Sequence, residues 1–361
     1  MVTELSSSPG SAGSVPGGDQ VLGPGVVVAV VVHEPSPVLP EVLESLAAQD
    51  YPDKQVLVLV AEANPEFMAR VQSLTGTVLQ SAHVRALGAD VTGFGTAANG
   101  VLSLVEGTSG YFLLMHDDVV LEPDAIRLLV AESLRSKAAV VGPKLLEWED
   151  PRRLHSVGYD GDRYGDLFDP IEPHEVDQEQ HDTIRDTFVL STACLLVRAD
   201  LFRKLGGFEP SIGRFGEGLD FCWRVHLTGA RVVIVPDARA RHRAAGSSQS
   251  PDTEDLIEIE RNRVLTAVSL TGRGRLVPVV LRLIVAGLLT ASWSLVRRHR
   301  SRARARLAGV TGLFTRVGTI RARRRKMRVI RRVSDGEISD LQTSGRTRWR
   351  QVVRRAAESR P

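Results

Sequence analysis

An open α/β fold, a mostly parallel sheet flanked by helices, is predicted by three features of this chain. Uninterrupted apolar runs such as Val26–Val32 and Gln55–Val60 read as strands buried on both faces. Helical stretches alternate with them, which implies parallel strands joined by right-handed crossovers. The run Tyr111-Phe-Leu-Leu-Met-His-Asp-Asp118 sets paired acids at the carboxyl end of a buried strand, the edge where open sheets bind ligands.

The elements follow in order. After Val26–Val32, His33-Glu34-Pro35 ends the first strand, and Pro40 suits the first turn of a helix running to about Ala48. Asp50-Tyr-Pro52 turns the chain into the strand Gln55–Val60, which ends at Ala61-Glu62. A helix over Glu66–Leu74, a strand over Thr77–Ala82 and a helix over Thr96–Glu106 lead to the acid-bearing strand. A helix over Pro123–Ser136 precedes Val140-Val-Gly-Pro143. Residues 147–187 are polar, acidic and contain His155, His174 and His181 without close ligand spacing, so a solvated loop on the substrate side is expected. Thr187–Val197 reads as strand, and Asp200–Leu205 as a short helix stopped by Gly206-Gly207. A helix from Glu217 to Thr228 and a strand Val232–Val235, ended by Pro236, complete the body.

Charge divides the chain. Residues 271–361 hold 24 of the 46 Lys and Arg against four acids, a segment of +20 beside a body of −17. Cys194 and Cys222 have no metal-ligand spacing and are expected to be free thiols in a reducing compartment. The first 24 residues, rich in Ser, Gly and Pro, read as a disordered leader and lack the charged and apolar regions of a secretory signal.

Taken in order, VVVAVVVHEPSP, QDYPDKQVLVLV, GFGTAANGVL, YFLLMHDDVVLEPDAI, VGPKLL, STACLLVRADLFRKLGGFEP and FGEGLDFCWRVHLTGARVVIVPDARARH resemble a family 2 glycosyltransferase of GT-A fold, over about Val26–Ala245. The whole layout is similar to the N-terminal part of large actinobacterial membrane glycosyltransferases. The resemblance implies three regions: a leader at 1–24, a GT-A domain at 25–246 and a helical, Arg-rich, membrane-associated extension at 247–361. It implies an inverting transferase that uses a nucleotide-sugar donor and a divalent metal, Mg²⁺ or Mn²⁺.

On the donor side the resemblance implies nucleoside contacts at Glu34 and Glu62, with His33 beside the first and Arg85 at base or phosphate. His116-Asp117-Asp118 stands at the Asp-X-Asp position. Asp118 is the expected metal ligand, while His116 and Asp117 are expected nearer the ribose. The same acids would also suit a cap on the helix near Pro123. His242 matches a histidine that completes the metal or diphosphate site.

On the acceptor side, a helix from Glu217 puts Glu217, Asp220 and Arg224 on one face, with Asp220 and Arg224 as an i,i+4 pair. The family pattern places its general base where this chain has Gly218, so the base is expected at Glu217 or Asp220, or turnover is impaired. The impaired case leaves a nucleotide-sugar-binding or scaffolding module of a glycan-assembly complex. Trp223, beside Arg224, is a candidate acceptor platform.

Leu276–Val296 is apolar apart from Arg282 and is followed at once by Arg297-Arg-His-Arg300. A central arginine opposes a full span and favours an interfacial helix on an anionic cytoplasmic leaflet of the plasma membrane. The expected partners are thus a nucleotide sugar, a glycan or lipid-linked acceptor and an anionic membrane. Nucleic acid is not expected, because no helix-turn-helix or aromatic-interleaved pattern joins the basic runs.

Overall fold

The computed structural model describes residues 23–33, 36–61, 64–88, 91, 93–108, 110–244 and 251–342. The predicted leader lies outside these residues except for its last two positions.

In chain order the elements are β1 (Val26–Val32), α1 (Leu39–Ala47), β2 (Lys54–Val60), α2 (Pro65–Val78), β3 (His83–Ala86), α3 (Gly93–Ala98), α4 (Val101–Leu104), β4 (Tyr111–His116) and β5 (Val119–Leu121). There follow α5 (Ala125–Ser136), β6 (Val140–Glu147), β7 (Leu154–Ser156), β8 (Asp160–Gly161), β9 (Leu167–Phe168), β10 (Arg185–Asp186), β11 (Cys194–Arg198), α6 (Ala199–Leu205), α7 (Glu217–Leu227) and β12 (Val232–His242). The chain then turns helical through α8 (Thr253–Leu270), α9 (Arg273–Val296), α10 (Arg300–Thr315), α11 (Val317–Ile330) and α12 (Asp335–Ser339).

The main sheet runs β10-β12-β6-β11-β4-β1-β2-β3, with β5 on β12 and β7 on β6. β1 pairs in parallel with both β2 and β4, and β2 with β3, which forms the expected parallel half. β11 runs antiparallel between β4 and β6, so the sheet is mixed. The valine run of β1 feeds two cores: Ala29 and Val31 face one side, and Val28, Val30 and Val32 the other. This period-two division is what a strand covered on both faces requires.

Several elements differ from their sequence expectation, and the helix expected over Thr96–Glu106 is two short helices, α3 and α4. α2 continues to Val78, so the third strand begins at His83 instead of Thr77; the Asn64 side chain caps this helix, and packing of Phe67, Val71 and Thr75 carries it through the β-branched stretch. Much of 187–193 lies outside regular strand, and β11 begins only at Cys194. β12 runs past Pro236 to His242, because a register shift between Val235 and Arg239 absorbs the proline as an irregularity in the ladder.

The basic segment is not only surface charge. Arg323 of α11 enters the protein interior and joins Arg224 on the buried carboxylate of Asp220. Arg324 donates to the carbonyls of Val268 and Thr271. Asn262 of α8 donates to the carbonyls of Ile212, Arg214 and Phe215, fixing the loop that leads into α7. α9 is long and apolar enough by composition to cross a membrane, and only 22% of its most apolar window is buried in the protein.

Candidate active site

Strand pairing assembles a metal-ligand group at the carboxyl edge. β4 ends in His116, and the turn that follows carries Asp117 and Asp118. β5 then pairs antiparallel with the end of β12, Val119 opposite His242, and the Arg243 amide donates to the Asp118 carbonyl. His242 is thereby set beside Asp118, its Nε2 3.3 Å from Oδ1. His116 Nδ1 lies 3.9 Å from the same oxygen. One ligand atom from each of His116, Asp118 and His242 falls within 4.8 Å of the others.

The chemistry of this set suits a divalent cation. Burial, with a smaller contribution from neighbouring His242, pushes the His116 imidazole down to about 3, so its ring is neutral and available as a ligand. Its Nε2 has no hydrogen-bond partner among the described residues. Two imidazoles and a carboxylate form a mixed N/O set of the kind that Mn²⁺ accepts. His116 was expected at the ribose; the structure instead turns it toward Asp118 and His242, with its ring 4.4 Å from that of Phe94.

A third histidine stands behind the group. His155 Nε2 and His242 Nδ1 share a hydrogen bond of 3.0 Å, which aims the other nitrogen of His242 at Asp118. Burial pushes the His155 imidazole down to about 4. The sequence gives no local signal for this residue: β7 lies antiparallel to β6, and β6 parallel to β12, and only those pairings bring it to His242. His174 and His181 instead pair with Glu147 and Glu175.

Of the other donor-side residues, His33 lies partly buried at the end of β1, close enough to depress the His116 imidazole further. Asp117 is partly exposed beside the group. Arg85 is exposed on edge strand β3 and donates to the carbonyl of Val84, away from the His116–Asp118–His242 group. Glu34 and Glu62 lie outside the described residues.

Helix α3 links this group to the acceptor helix. Phe94 packs on His116, while a Cβ at Gly95 would sit 3.3 Å from the Cβ of Glu217. Glu217 opens α7 after Gly216, whose φ of 90° is readily adopted only by glycine. Thr192 donates to Glu217 Oε1, and Oε2 has no hydrogen-bond partner among the described residues. Burial raises the Glu217 carboxyl above the ordinary glutamate range, an adjustment that suits a general base.

The structure corrects three acceptor-side expectations. Asp220 is fully buried; burial pushes its carboxyl up, but Arg323 and Arg224 pull it further down, so it is an ion-pair anchor with no route to an acceptor proton. Arg224 is committed to that anchor, its Nε 2.7 Å from Asp220. Trp223 is buried against Phe188 and is a core residue, not a sugar platform. The residues of α7 from Gly218 to Leu227 are all buried. At Gly218 an added Cβ would lie 3.1 Å from Thr192 Cγ2 and 3.2 Å from the Leu190 carbonyl oxygen. The position expected to carry an acid is therefore a close contact between α7 and the 190–192 segment.

Comparison with known proteins decides the family. The family described as Glycosyltransferase like family 2 matches residues 24–265. The chain belongs to this family. The glycosyltransferase is 27% identical over 149 residues to the O-antigen biosynthesis protein RfbC of Myxococcus xanthus, covering 39% of this chain and 12% of that protein. It is 24% identical over 151 residues to the pre-mycofactocin glycosyltransferase of Mycobacterium tuberculosis, covering 41% of this chain and 30% of the relative. The chain thus matches less than a third of the length of these relatives. Among solved structures, GalNAc-T7 with UDP, GalNAc and Mn²⁺ superposes with a TM-score of 0.50 at 13% identity, over 70% of this chain and 51% of that one. The GT-A fold expected from the motifs is the fold of this glycosyltransferase.

Proposed function

We propose that this glycosyltransferase moves a sugar, with inversion, from a nucleotide-sugar donor to a polysaccharide or lipid-linked acceptor at the cytoplasmic membrane face. The observation that carries the reading is the convergence of His116, Asp118 and His242 at the carboxyl edge of the parallel strands, one helix away from Glu217. The donor nucleotide lies along the ends of β1, β2 and β4, where His116, Asp118 and His242 would hold Mg²⁺ or Mn²⁺. Bound there, the ion would supply positive charge to offset the negative charge gathering on the departing diphosphate.

Glu217 takes the proton of the acceptor hydroxyl at Oε2. The acceptor oxygen bonds to the anomeric carbon as the bond from that carbon to the diphosphate breaks, and a single displacement from the opposite face inverts the centre. Thr192 fixes the carboxylate by donating to Oε1. The O-antigen relative supports a glycan acceptor, and the apolar α9 with its arginine-rich surroundings supports membrane association. A second reading, a module that binds nucleotide sugar without turning it over, draws on Gly218.

The test is release of nucleoside diphosphate by purified full-length protein from a panel of nucleotide sugars with Mn²⁺, alongside Glu217→Gln. Activity with one donor that falls steeply in Glu217→Gln supports the transferase reading. Binding of a donor with no turnover under any condition supports the second.

A further inference from the structure

We propose that a groove between the β8–β9 hairpin and helices α8 to α10 holds the phosphate of a membrane lipid that carries the acceptor glycan. This rests on the transferase reading above and names its acceptor. The groove, about 420 Å³, is walled by Phe168 and Leu283 and lined by Arg263, Arg282, Arg306 and Thr290, with the single carboxylate of Asp166.

Its cations are unequally committed. Arg263 is paired with Glu260 and Asp166, and Arg306 with Glu260. Arg282 meets no carboxylate among the described residues; its guanidinium lies over the Tyr164 ring, 4.6 Å from the centroid. Ring contact holds the side chain in place while its donors stay open, and a guanidinium fork matches phosphate geometry. This is the arginine that interrupts the apolar run of α9, so its position in the groove gives a reason for a charge that otherwise disfavours membrane contact.

The apolar part of the ligand has its own surface. Val277, Leu281, Val285, Leu289, Trp293 and Val296 are exposed along one side of α9. Arg282 and Thr290 each follow a member of that row by one residue, about 100° around the helix. A phosphate at Arg282 and a hydrocarbon chain along Leu281, Val285 and Leu289 would therefore belong to one molecule. Free phosphate would satisfy the groove and leave the row bare.

The groove also adjoins the acceptor helix. A Cβ at Gly165, in the turn of the hairpin, would sit 3.0 Å from Arg263 and 3.5 Å from Leu219, two residues beyond Glu217. A glycan attached to a phosphate held there would start beside the helix that carries the base.

Flotation of the full chain with vesicles tests this. The vesicles are phosphatidylcholine alone, phosphatidylcholine with phosphatidylglycerol, and phosphatidylcholine with a long-chain isoprenyl phosphate at matched surface charge. The isoprenyl phosphate vesicles should bind about tenfold more tightly than the phosphatidylglycerol ones, the scale of one charge-assisted contact. Arg282→Gln, exposed and checked by its thermal melt, should lose that preference, and Arg282→Lys should restore part of it. Equal binding to both anionic vesicles, an unchanged preference in Arg282→Gln, or loss of the preference to millimolar inorganic phosphate would each overturn the proposal. Thermal stabilisation of the wild type by a nucleoside diphosphate with Mn²⁺ separates the two readings. Without it the transferase reading fails; with it, a missing lipid preference removes the groove alone.

Discussion

Replacing Arg323 with glutamine should destabilise the protein by about 3 kcal/mol at neutral pH, through a contact a hundred residues away in sequence. Asp220 is fully buried and is held by Arg323 from α11 and by Arg224 from its own helix. Removing one partner of a buried ion pair costs about 3–5 kcal/mol, because the remaining charge stays desolvated. Asp220 keeps the Arg224 bond of 2.7 Å, so the lower end of that range applies. For a domain of this size the loss is a melting decrease of roughly 5 °C. The sign with pH follows from the Asp220 carboxyl, which is depressed below the ordinary aspartate range. Its stabilisation is present above the unfolded value and disappears as pH falls through the folded one, so the gap between wild type and variant should narrow in acid. Urea unfolding of wild type, Arg323→Gln, Asp220→Asn and the double variant measures the coupling. A double variant less stable than the wild type by the full sum of the two single losses would refute a direct pairing. So would an Arg323→Gln variant that melts with the wild type.

The remaining predictions concern the cleft. Glu217→Gln should lower turnover by about 10²–10⁴-fold in a steady-state assay; since burial raises the Glu217 carboxyl, the same change should stabilise the fold at neutral pH, where the buried charge is a burden. For the same reason the acidic limb of the rate profile should lie above the ordinary glutamate range, activity falling as Glu217 takes up its proton. Gly218→Asp must displace Thr192 or the Leu190 carbonyl, so it should lower the melting temperature and leave turnover no higher than wild type; a large gain in rate would assign the base to that position. His155→Ala removes the partner that orients His242 and should weaken Mn²⁺ binding in the presence of nucleotide by about 10–100-fold, as read by titration.

The parallel half of the sheet was legible because each of its first two strands is an apolar run covered on both faces, a pattern that needs no partner to be recognised. Asp118 was legible for a related reason: an acid directly after such a run is carried to the sheet edge wherever the strand lies. What sequence could not give depends on pairings between distant segments. His155 and His242 lie 87 residues apart and meet only through the β7-β6-β12 ladder. Asp220 read as a cleft acid because Arg323 stands within an arginine run that looks like a surface charge, yet one residue of that run is buried on it. Trp223 was misplaced for the same reason, since α8, α9, α11 and α12 lie against a face of α7 that periodicity alone leaves open. The third strand was set too early because Thr77 and Val78 are strand formers by propensity, and packing of α2 against the sheet outweighs it.

The account rests on Asp118, with His116 and His242, holding a divalent ion against the donor diphosphate. Titration of a nucleoside diphosphate into wild type and Asp118→Ala, each with Mn²⁺ and with chelator, tests this directly. Wild type should bind tightly only with the metal, and the variant should bind weakly and equally in both. Metal-dependent binding that survives intact in Asp118→Ala, with the fold confirmed by its thermal melt, would contradict the account.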